Sequence, residues 1–231
     1  AVFVAAAQQP KYIFLFIGDG LGINHVYGTE LYNAAVHKDM PDNGKLSFTR
    51  FPIRTYVTNH SSSSLVTDSS AAATAMATGV KTVNGYMGVD ADKKSVKNLT
   101  ELVSEMGMKV GVVTNVGINH ATPSCFYGHT SDRFGFPKLV DDYIASDVAF
   151  IAGSTIMDMK SGPMGSGIEP VTTEQLAERI RNAGILLTLD VGKILNQGFD
   201  QIFNLSNPVV QTAGDILDTY LYRVTFISGG D

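Results

Sequence analysis

Residues 66–75 read VTDSSAAATA, a polar start followed by residues that favour a helix. The alanine-rich run predicts a helix over residues 69–78, with Asp68 and Ser69 at its start. Backbone N–H groups and the positive end of the helix dipole converge on such a first turn, where they favour a phosphate dianion and a seryl alkoxide. Two interpretations are open at this point. Ser69 is a nucleophile, or Asp68 and Ser69 only cap the helix by satisfying its unpaired amides.

Upstream, residues 11–17 read KYIFLFI and predict a buried strand of a parallel sheet. The strand leads into GDGLG at residues 18–22, so Asp19 is expected at the carboxyl end of a strand. Open α/β sheets assemble their sites at that edge, and the flanking glycines allow a ligand or a metal to approach the backbone closely. The alternative is a simple turn before a helix, which is predicted over residues 23–37.

A third segment begins with the predicted strand KVGVVT at residues 109–114 and continues into NHATP at 119–123 and HTSDR at 129–133. These residues bring hydroxyls, two imidazoles and a guanidinium to the end of the sheet. Arg133 has the planar fork that suits a phosphate group. A surface arginine paired with Asp132 or another carboxylate is the alternative, and both histidines are open to a purely structural role.

The predicted elements alternate between strands and helices along the chain. Strands are expected near residues 12–17, 109–114 and 148–152, and helices near 23–37, 69–78, 97–106 and 137–146. This pattern predicts an α/β fold with a mostly parallel central sheet and helices on both faces. The whole of residues 11–231 is expected to form a single domain.

The sequence from about residue 160 onward carries no site motif. SGPMGSG at 161–167 is typical of a linker, a capped helix is predicted from Thr172 to near Gly184, and residues 185–189 indicate a further strand. The last residues look like a strand that enters a turn. We therefore expect the fold to be incomplete at its carboxyl end.

Together these segments resemble the amino-terminal half of an alkaline phosphatase, over about residues 12–153. The core of the resemblance is residues 66–90, where DS, TA, TGVKT, NG and GVD follow the order and spacing of that family. The match is poor from about residue 160 to 231. The resemblance implies a metal-dependent hydrolase that acts on small phosphate monoesters through a covalent phosphoserine intermediate. Because a serine hydroxyl needs a metal or a base to remove its proton, the residue chemistry agrees with this expectation.

The resemblance also implies roles for individual residues. It makes Ser69 the nucleophile and a metal ligand, and it makes Arg133 the catalytic group that binds the phosphate oxygens. Asp68 is implied to hold Arg133 in orientation and so to contribute to substrate binding. Asp19 is implied to bridge one zinc and the magnesium, and Thr122 to be a ligand of the magnesium.

The resemblance implies two Zn²⁺ and one Mg²⁺ as cofactors, but the ligand set in this sequence is incomplete. His120 stands where some bacterial members carry Asp, and it is expected beside the metal ligands. The five histidines end at His129, and the carboxyl-terminal Asp and His clusters of the family have no counterpart before Asp231. A chain that is partial, or that diverged after its first half, would explain this pattern.

The glutamate that completes the magnesium site has no convincing match either. Glu169, Glu174 and Glu178 follow the pattern of solvated side chains on a loop and an amphipathic helix. The alternative function is therefore a catalytically silent fragment, or a phosphate- or metal-binding module that lacks the carboxyl-terminal zinc ligands.

Charge and hydropathy restrict the partners. The net charge of −5 gives no electrostatic footprint for nucleic acid, and no apolar run approaches the length that spans a bilayer.

Residues 1–8, AVFVAAAQ, resemble the end of a secretory signal peptide, and residues 1–10 are interpreted as its remnant. An apolar arm or an edge strand is the alternative. Together with the resemblance, this segment predicts a periplasmic or secreted protein, and the family also implies a homodimer.

Overall fold

The computed structural model describes residues 11–159, 170–185 and 189, and the chain divides into two compact units between Thr55 and Tyr56. Several predictions lie outside the described residues: the signal-peptide remnant at 1–10, the linker at 161–167, most of the strand at 185–189 and everything from 190 to 231. The single domain predicted over residues 11–231 stays a prediction.

The first unit contains one long helix and two short 3-10 turns. Helix α1 spans Ile23–Val36, which confirms the helix predicted over residues 23–37. The 3-10 turns span Pro41–Gly44 and Phe48–Arg50. Proline suits the first position of a helical turn because it has no N–H to leave unpaired.

A buried carboxylate ties α1 to the chain that follows it. Glu30 Oε1 accepts hydrogen bonds from Thr49 Oγ1 (2.6 Å) and from the Leu46 amide (3.2 Å), and Lys45 Nζ lies 3.3 Å from Oε2. The hydrogen bond from Thr49 lowers the pKa of Glu30 against the opposing effect of burial, and Leu46 and Lys45 lower it further. The side chain thus stays ionised in a position where an unpaired carboxylate would be costly.

The strand predicted over residues 12–17 is wrong. These residues have no strand pairing, and the side chains of residues 12–16 are 55–75% exposed. An apolar pattern shows which segment could be buried, but a strand forms only where a neighbouring strand supplies its hydrogen bonds. The described part of the first unit contains no such neighbour. Asp19 therefore lies in an exposed turn, closed by a hydrogen bond from the Leu21 amide to the Gly18 carbonyl (3.2 Å), rather than at the end of a strand.

The second unit is an α/β structure built on two parallel strands. Strand β1 (Val110–Val113) pairs with β2 (Val148–Ala152), which confirms both strands predicted in this part of the chain. The helices are α2 (Ser69–Thr78), α3 (Leu99–Glu105), α4 (Ala121–Ser124), α5 (Phe136–Ala145) and α6 (Thr173–Asn182). The α/β class is therefore confirmed, together with the helices predicted over residues 69–78, 97–106 and 137–146.

The apolar core joins both strands to α5 and α6. Its buried side chains are Ile118, Tyr127, Val140, Tyr143, Val148, Ile151, Ile156, Leu176, Ala177 and Ile180. Helix α6 begins at the predicted place because Thr172 Oγ1 accepts a hydrogen bond from the Gln175 amide (3.2 Å), while Gln175 Oε1 accepts one from the Thr172 amide (2.8 Å). This reciprocal cap fixes the helix start and orients its apolar face toward the core.

The outer face of α6 is charged. Glu174 and Glu178 are exposed, and Glu174 Oε1 accepts a hydrogen bond from Arg181 Nη1 at 2.7 Å. Both glutamates are therefore surface residues, as predicted, whereas Glu169 lies outside the described residues. Among the helices that the structure describes, none is both long and apolar enough to cross a membrane.

A close backbone contact places the segment after α2 beside the segment that carries Arg133. Met87 and Thr130 exchange two backbone hydrogen bonds of 2.8 Å in an antiparallel bridge. Next to this bridge, Gly88 has a φ of +59°, and a Cβ there would lie 2.1 Å from the Gly128 carbonyl oxygen. Only glycine fits both this backbone conformation and this space.

We expect Gly88→Ala to destabilise the second unit more than the same substitution where there is open space. Gly107 is the matched control, because it has a φ of +82° and no atom within 4 Å of the place a Cβ would occupy. Both variants strain a left-handed backbone by about 1 kcal/mol. Gly88→Ala adds a clash that should cost about 1–3 kcal/mol more. Urea unfolding followed by circular dichroism measures the difference, and equal losses in the two variants would contradict the close contact.

Candidate active site

Helix α2 begins at the predicted nucleophile. Asp68 is the N-cap, with φ −100° and ψ 173°, and its Oδ1 accepts a hydrogen bond from the Ala71 amide (2.9 Å). Ser69 is the first residue of the helix, in the turn where unpaired amides and the positive dipole end converge. The helix ends at Gly79, whose φ of +75° allows the chain to turn away. The capping interpretation therefore applies to Asp68, and the nucleophilic role of Ser69 stays a prediction.

An ion pair connects the start of α2 to a residue far along the chain. Asp68 Oδ2 lies 2.7 Å from Arg133 Nη1, and each side chain is 22% exposed. The carboxylate that pairs with this arginine is that of Asp68, whereas Oδ1 of Asp132 accepts a hydrogen bond from the Phe134 amide (2.9 Å). A guanidinium carries five N–H donors, and the ion pair commits Nη1. Arg133 is thus held beside the positive end of α2, where both would attract an anion.

The hydrogen bonds around Asp68 keep its carboxylate charged. Partial burial acts to raise the pKa of Asp68, but the hydrogen bonds from the Ala71 amide, the Arg133 side chain and the Gly85 amide lower it below its usual value. Donors that bind the charged form stabilise that form. The ionised carboxylate is therefore the state that orients Arg133.

Helix α4, which carries Thr122, packs against α2. Cys125, which directly follows α4, donates a hydrogen bond from Sγ to the Ser70 carbonyl (3.3 Å), and Sγ lies 3.4 Å from Thr74 Oγ1. Burial raises the pKa of the Cys125 thiol to about 12, so the thiol remains protonated and can donate. His120 occupies the N-cap position of α4. Thr122 and His120 are therefore placed on an element that contacts the helix of Ser69.

The contacts of His129 are those of a scaffold residue. Its Nδ1 lies 2.6 Å from the Gly88 carbonyl oxygen, to which it can only donate, and its Nε2 lies 3.4 Å from Glu101 Oε1. Its backbone amide donates to Asp142 Oδ2 (3.2 Å). These three contacts hold the loop that leads to Arg133.

The predicted site residues divide between the two units. Those in the second unit are Asp68, Ser69, His120, Thr122 and Arg133, whereas Asp19 belongs to the first. Within the second unit the structure brings Asp68 into contact with Arg133, and it packs the helix of Ser69 against the helix of Thr122.

Two residues without a role in the sequence-based predictions also reach Asp68. The Gly85 amide donates to Asp68 Oδ2 (3.0 Å), and Asn84 Oδ1 accepts a hydrogen bond from the Asp68 amide (3.3 Å). The signal for them in the sequence is the Asn-Gly pair, which is typical of a tight turn. That signal predicts the turn but not the residue that the turn contacts.

The described residues do not by themselves form the expected metal centre. Within residues 11–159, 170–185 and 189, no group of three or more His, Cys, Asp or Glu side chains is arranged to hold a metal ion. A catalytic zinc site normally has three protein ligands, most of them nitrogen or sulfur. We therefore derive no catalytic step through a metal ion from these residues.

Comparisons with protein-family models and with curated proteins both identify alkaline phosphatases as similar to this chain. The family model described as Alkaline phosphatase matches residues 10–146. Alkaline phosphatase 4 of Bacillus subtilis (strain 168) is 30% identical over 190 residues, which cover 75% of this chain and 41% of that protein. The chain spans about two fifths or less of the length of the curated relatives it matches.

Solved structures of alkaline phosphatases share the fold. The enzyme from the Antarctic bacterium TAB5 has a TM-score of 0.51 and 32% identity, covering 59% of this chain and 37% of that one. A variant of the TAB5 enzyme, at the same TM-score, 31% identity and the same shares of both chains, has Mg bound in its M3 site. The cold-active enzyme from Shewanella sp. has a TM-score of 0.52 and 26% identity, covering 78% of this chain and 42% of that one.

The lowered pKa of Asp68 predicts a specific pH dependence of stability. A carboxyl whose pKa is lower in the folded state stabilises the fold fully above its unfolded pKa, about 3.9, and loses that contribution as the pH falls through the folded pKa. We therefore expect the stability difference between wild type and Asp68→Asn to be largest above about pH 5 and to shrink in more acidic solution.

Urea unfolding of both proteins between about pH 2.5 and 6 measures this difference. The same comparison with Asp92→Asn, at an exposed position, is the control. A difference for Asp68→Asn that stays constant over the whole pH range would contradict the role of the ionised carboxylate.

Proposed function

The chain belongs to the alkaline phosphatase family, and from this premise we propose that the protein hydrolyses small phosphate monoesters through a phosphoserine on Ser69. The observation that supports the proposal most directly is the ion pair of Arg133 with Asp68 (2.7 Å), directly before the serine that begins α2. A guanidinium and a helix N-terminus at one place are two independent attractions for a phosphate dianion.

In the proposed reaction, Ser69 Oγ attacks the phosphorus atom of the ester. The new bond joins phosphorus to Oγ, the bond from phosphorus to the leaving oxygen breaks, and the proton lost by the serine hydroxyl ends on the leaving alcohol. Water then attacks the phosphoserine, which releases inorganic phosphate and restores the serine hydroxyl. Arg133 binds the non-bridging oxygens in both steps, because charge on those oxygens must be balanced while the phosphoryl group moves.

Asp68 serves this reaction by orientation. Its Oδ2 holds Nη1 of Arg133, and its Oδ1 caps α2, so one carboxylate fixes both the guanidinium and the helix start. An arginine side chain without such a partner has about 2 kcal/mol of rotamer entropy to lose when it binds a ligand. Holding the guanidinium in place before phosphate arrives reduces that cost.

We propose two Zn²⁺ and one Mg²⁺ as the cofactors of the whole protein, which when bound supply Lewis acids that acidify the seryl hydroxyl. The hydroxyls of Ser69 and Thr122 and the carboxylate of Asp19 are oxygen donors of the kind that Mg²⁺ accepts. His120, at the start of the helix of Thr122, is proposed to contact the metal ligands. The described residues supply no set of nitrogen and sulfur donors for zinc, as stated above.

The compartment and the assembly are proposals as well. The sequence of residues 1–8 supports a periplasmic or secreted protein. We propose a homodimer on the resemblance to the family alone. The net charge of −5 gives no electrostatic footprint for nucleic acid, and small phosphate esters are the ligands that we propose.

We expect Ser69→Ala to abolish the release of phosphate from an aryl phosphate at alkaline pH without loss of the fold, because no other group would replace the nucleophile. The loss should be at least about a thousandfold in kcat. Ser95→Ala is the matched control, since Ser95 is exposed and its described pairing with Val89 uses only the backbone. Activity and far-UV circular dichroism are measured on all three proteins, and unchanged turnover by Ser69→Ala would refute this serine as the nucleophile.

Metal content separates the proposed enzyme from a catalytically silent protein. An active protein should contain about two zinc ions and one magnesium ion per chain, and it should lose its activity to a chelator and regain it with these ions. Thr122→Val should lower the magnesium content more than the zinc content, because it removes a hydroxyl and keeps the side-chain volume. Plasma emission spectrometry after dialysis provides the counts. A fully active protein with neither metal would contradict the proposed cofactors.

A further inference from the structure

We propose that Asn84 is a positioning residue of this site, which fixes Asp68 and, through Asp68, the phosphate-binding Arg133. The inference rests on the proposed function, since it names the support of an arginine that is proposed to bind phosphate. A single turn, Val83–Tyr86, holds Asp68, the residue before Ser69, from two sides.

The turn itself is well defined. The Tyr86 amide donates to the Val83 carbonyl (3.0 Å), and Gly85 at the third position has a φ of +88°. This is the pattern of a type II turn, which favours glycine at that position. The Asn84 amide donates to Ser63 Oγ (3.0 Å). The turn is thereby attached to the run of four serines at residues 61–64, which precedes α2.

The Asn84 side-chain amide forms two hydrogen bonds with the backbone of the segment before α2, one as acceptor and one as donor. Its Oδ1 accepts a hydrogen bond from the Asp68 amide (3.3 Å), and its Nδ2 donates to the Val66 carbonyl (3.0 Å). A backbone amide can only donate and a carbonyl can only accept, so the side-chain amide has a single orientation that satisfies both. These two bonds fix the extended segment at the point where the chain enters the helix.

The next residue acts on the carboxylate of Asp68. The Gly85 amide donates to Oδ2 (3.0 Å), the same oxygen that pairs with Arg133 Nη1 (2.7 Å). Asn84 therefore holds the backbone of Asp68 while Gly85 holds its side chain. Without the Asn84 side chain, the backbone of Asp68 is less restrained, and the carboxylate and the guanidinium can shift together.

Asparagine is the one side chain that meets both partners at this reach. Asn84→Asp keeps the shape, removes the donor to the Val66 carbonyl and adds a negative charge near Asp68. Asn84→Ala removes both bonds. Asn182→Ala is the matched control, because Asn182 is an exposed residue at the end of α6, an element that packs on α5.

The first test is amide hydrogen exchange in the purified full-length protein. We expect the amides of Asp68 and Gly85 to exchange at least about tenfold faster in Asn84→Ala than in wild type, since the local opening free energy falls. Asn84→Asp keeps the acceptor for the Asp68 amide and should therefore raise the two rates less than Asn84→Ala does. Asn182→Ala should leave both rates unchanged. Exchange rates at both amides that do not change in Asn84→Ala would overturn the inference.

The second test measures the dissociation constant of inorganic phosphate in a double-mutant cycle with Arg133→Ala. Asn84→Ala alone should weaken phosphate binding about tenfold, as expected for a lost positioning bond. In the Arg133→Ala background it should have almost no further effect, because the group that it positions is absent. Effects that add in full would show that Asn84 acts independently of Arg133, and they would overturn the inference. The proposed function fails on a different result, full activity of Ser69→Ala, which does not alter either measurement.

Discussion

The carboxylate of Asp68 is the constraint on which the site depends, because three separate segments of the second unit meet at its two oxygens. One oxygen caps α2 at the Ala71 amide, and the other receives the Gly85 amide and the guanidinium of Arg133. Arg133 is 65 residues away in the sequence, so this contact closes a long loop of chain. Removing either charge would leave its partly buried partner unpaired, which is costlier than the pair itself is stabilising. The helix start, the turn and the arginine loop therefore hold their positions jointly.

Behind this ion pair, the body of α2 is fixed by small residues and a buried polar chain. Ala71, Ala73 and Ala77 are buried, and their small side chains permit close packing of α2 against its neighbours. The Gly88 amide donates to Thr74 Oγ1 (3.0 Å), and Cys125 joins Thr74 to the Ser70 carbonyl. The large apolar side chains instead form the core around β1, β2, α5 and α6. The apolar side chains that form the core of the second unit and the residues that fix the geometry of the site therefore lie in different parts of that unit.

Local signals in the sequence predict much of this arrangement. The cap at Asp68 and the alanine run place α2 at Ser69–Thr78, and the cap at Thr172 places α6, because capping and helix propensity act within a few residues. The strands β1 and β2 also follow from their β-branched residues. Each of these features is decided by neighbours in the chain, so the sequence alone is sufficient to predict it.

Features that need a distant partner are predicted less well. The run at residues 12–17 has a strand's composition, but pairing with another strand decides whether it becomes one. The residue pattern alone left the partner of Arg133 open between Asp132 and another carboxylate, whereas the family resemblance implied Asp68, and Asp68 is the carboxylate in contact with this arginine. Asn84 shows the same limit, because an Asn-Gly pair predicts a turn without indicating that its side chain reaches back to Val66 and Asp68. The resemblance to a family implied the pairing of Asp68 with Arg133, yet it implied no contact for Asn84.

Three titrating groups of the second unit, Asp68, Cys125 and Tyr127, have pKa values shifted away from neutrality. Hydrogen bonds lower the pKa of Asp68, and burial raises the pKa of Cys125 to about 12, so the two move in opposite directions away from neutrality. Burial raises the pKa of Tyr127 as well. Between about pH 5 and 11, Asp68 therefore stays charged while Cys125 and Tyr127 stay neutral. None of these three groups changes its charge in that range. They therefore do not alter the attraction that Arg133 and the helix N-terminus exert on a phosphate dianion. A pH dependence of phosphate binding in that range would therefore not arise from loss of the ion pair between Asp68 and Arg133.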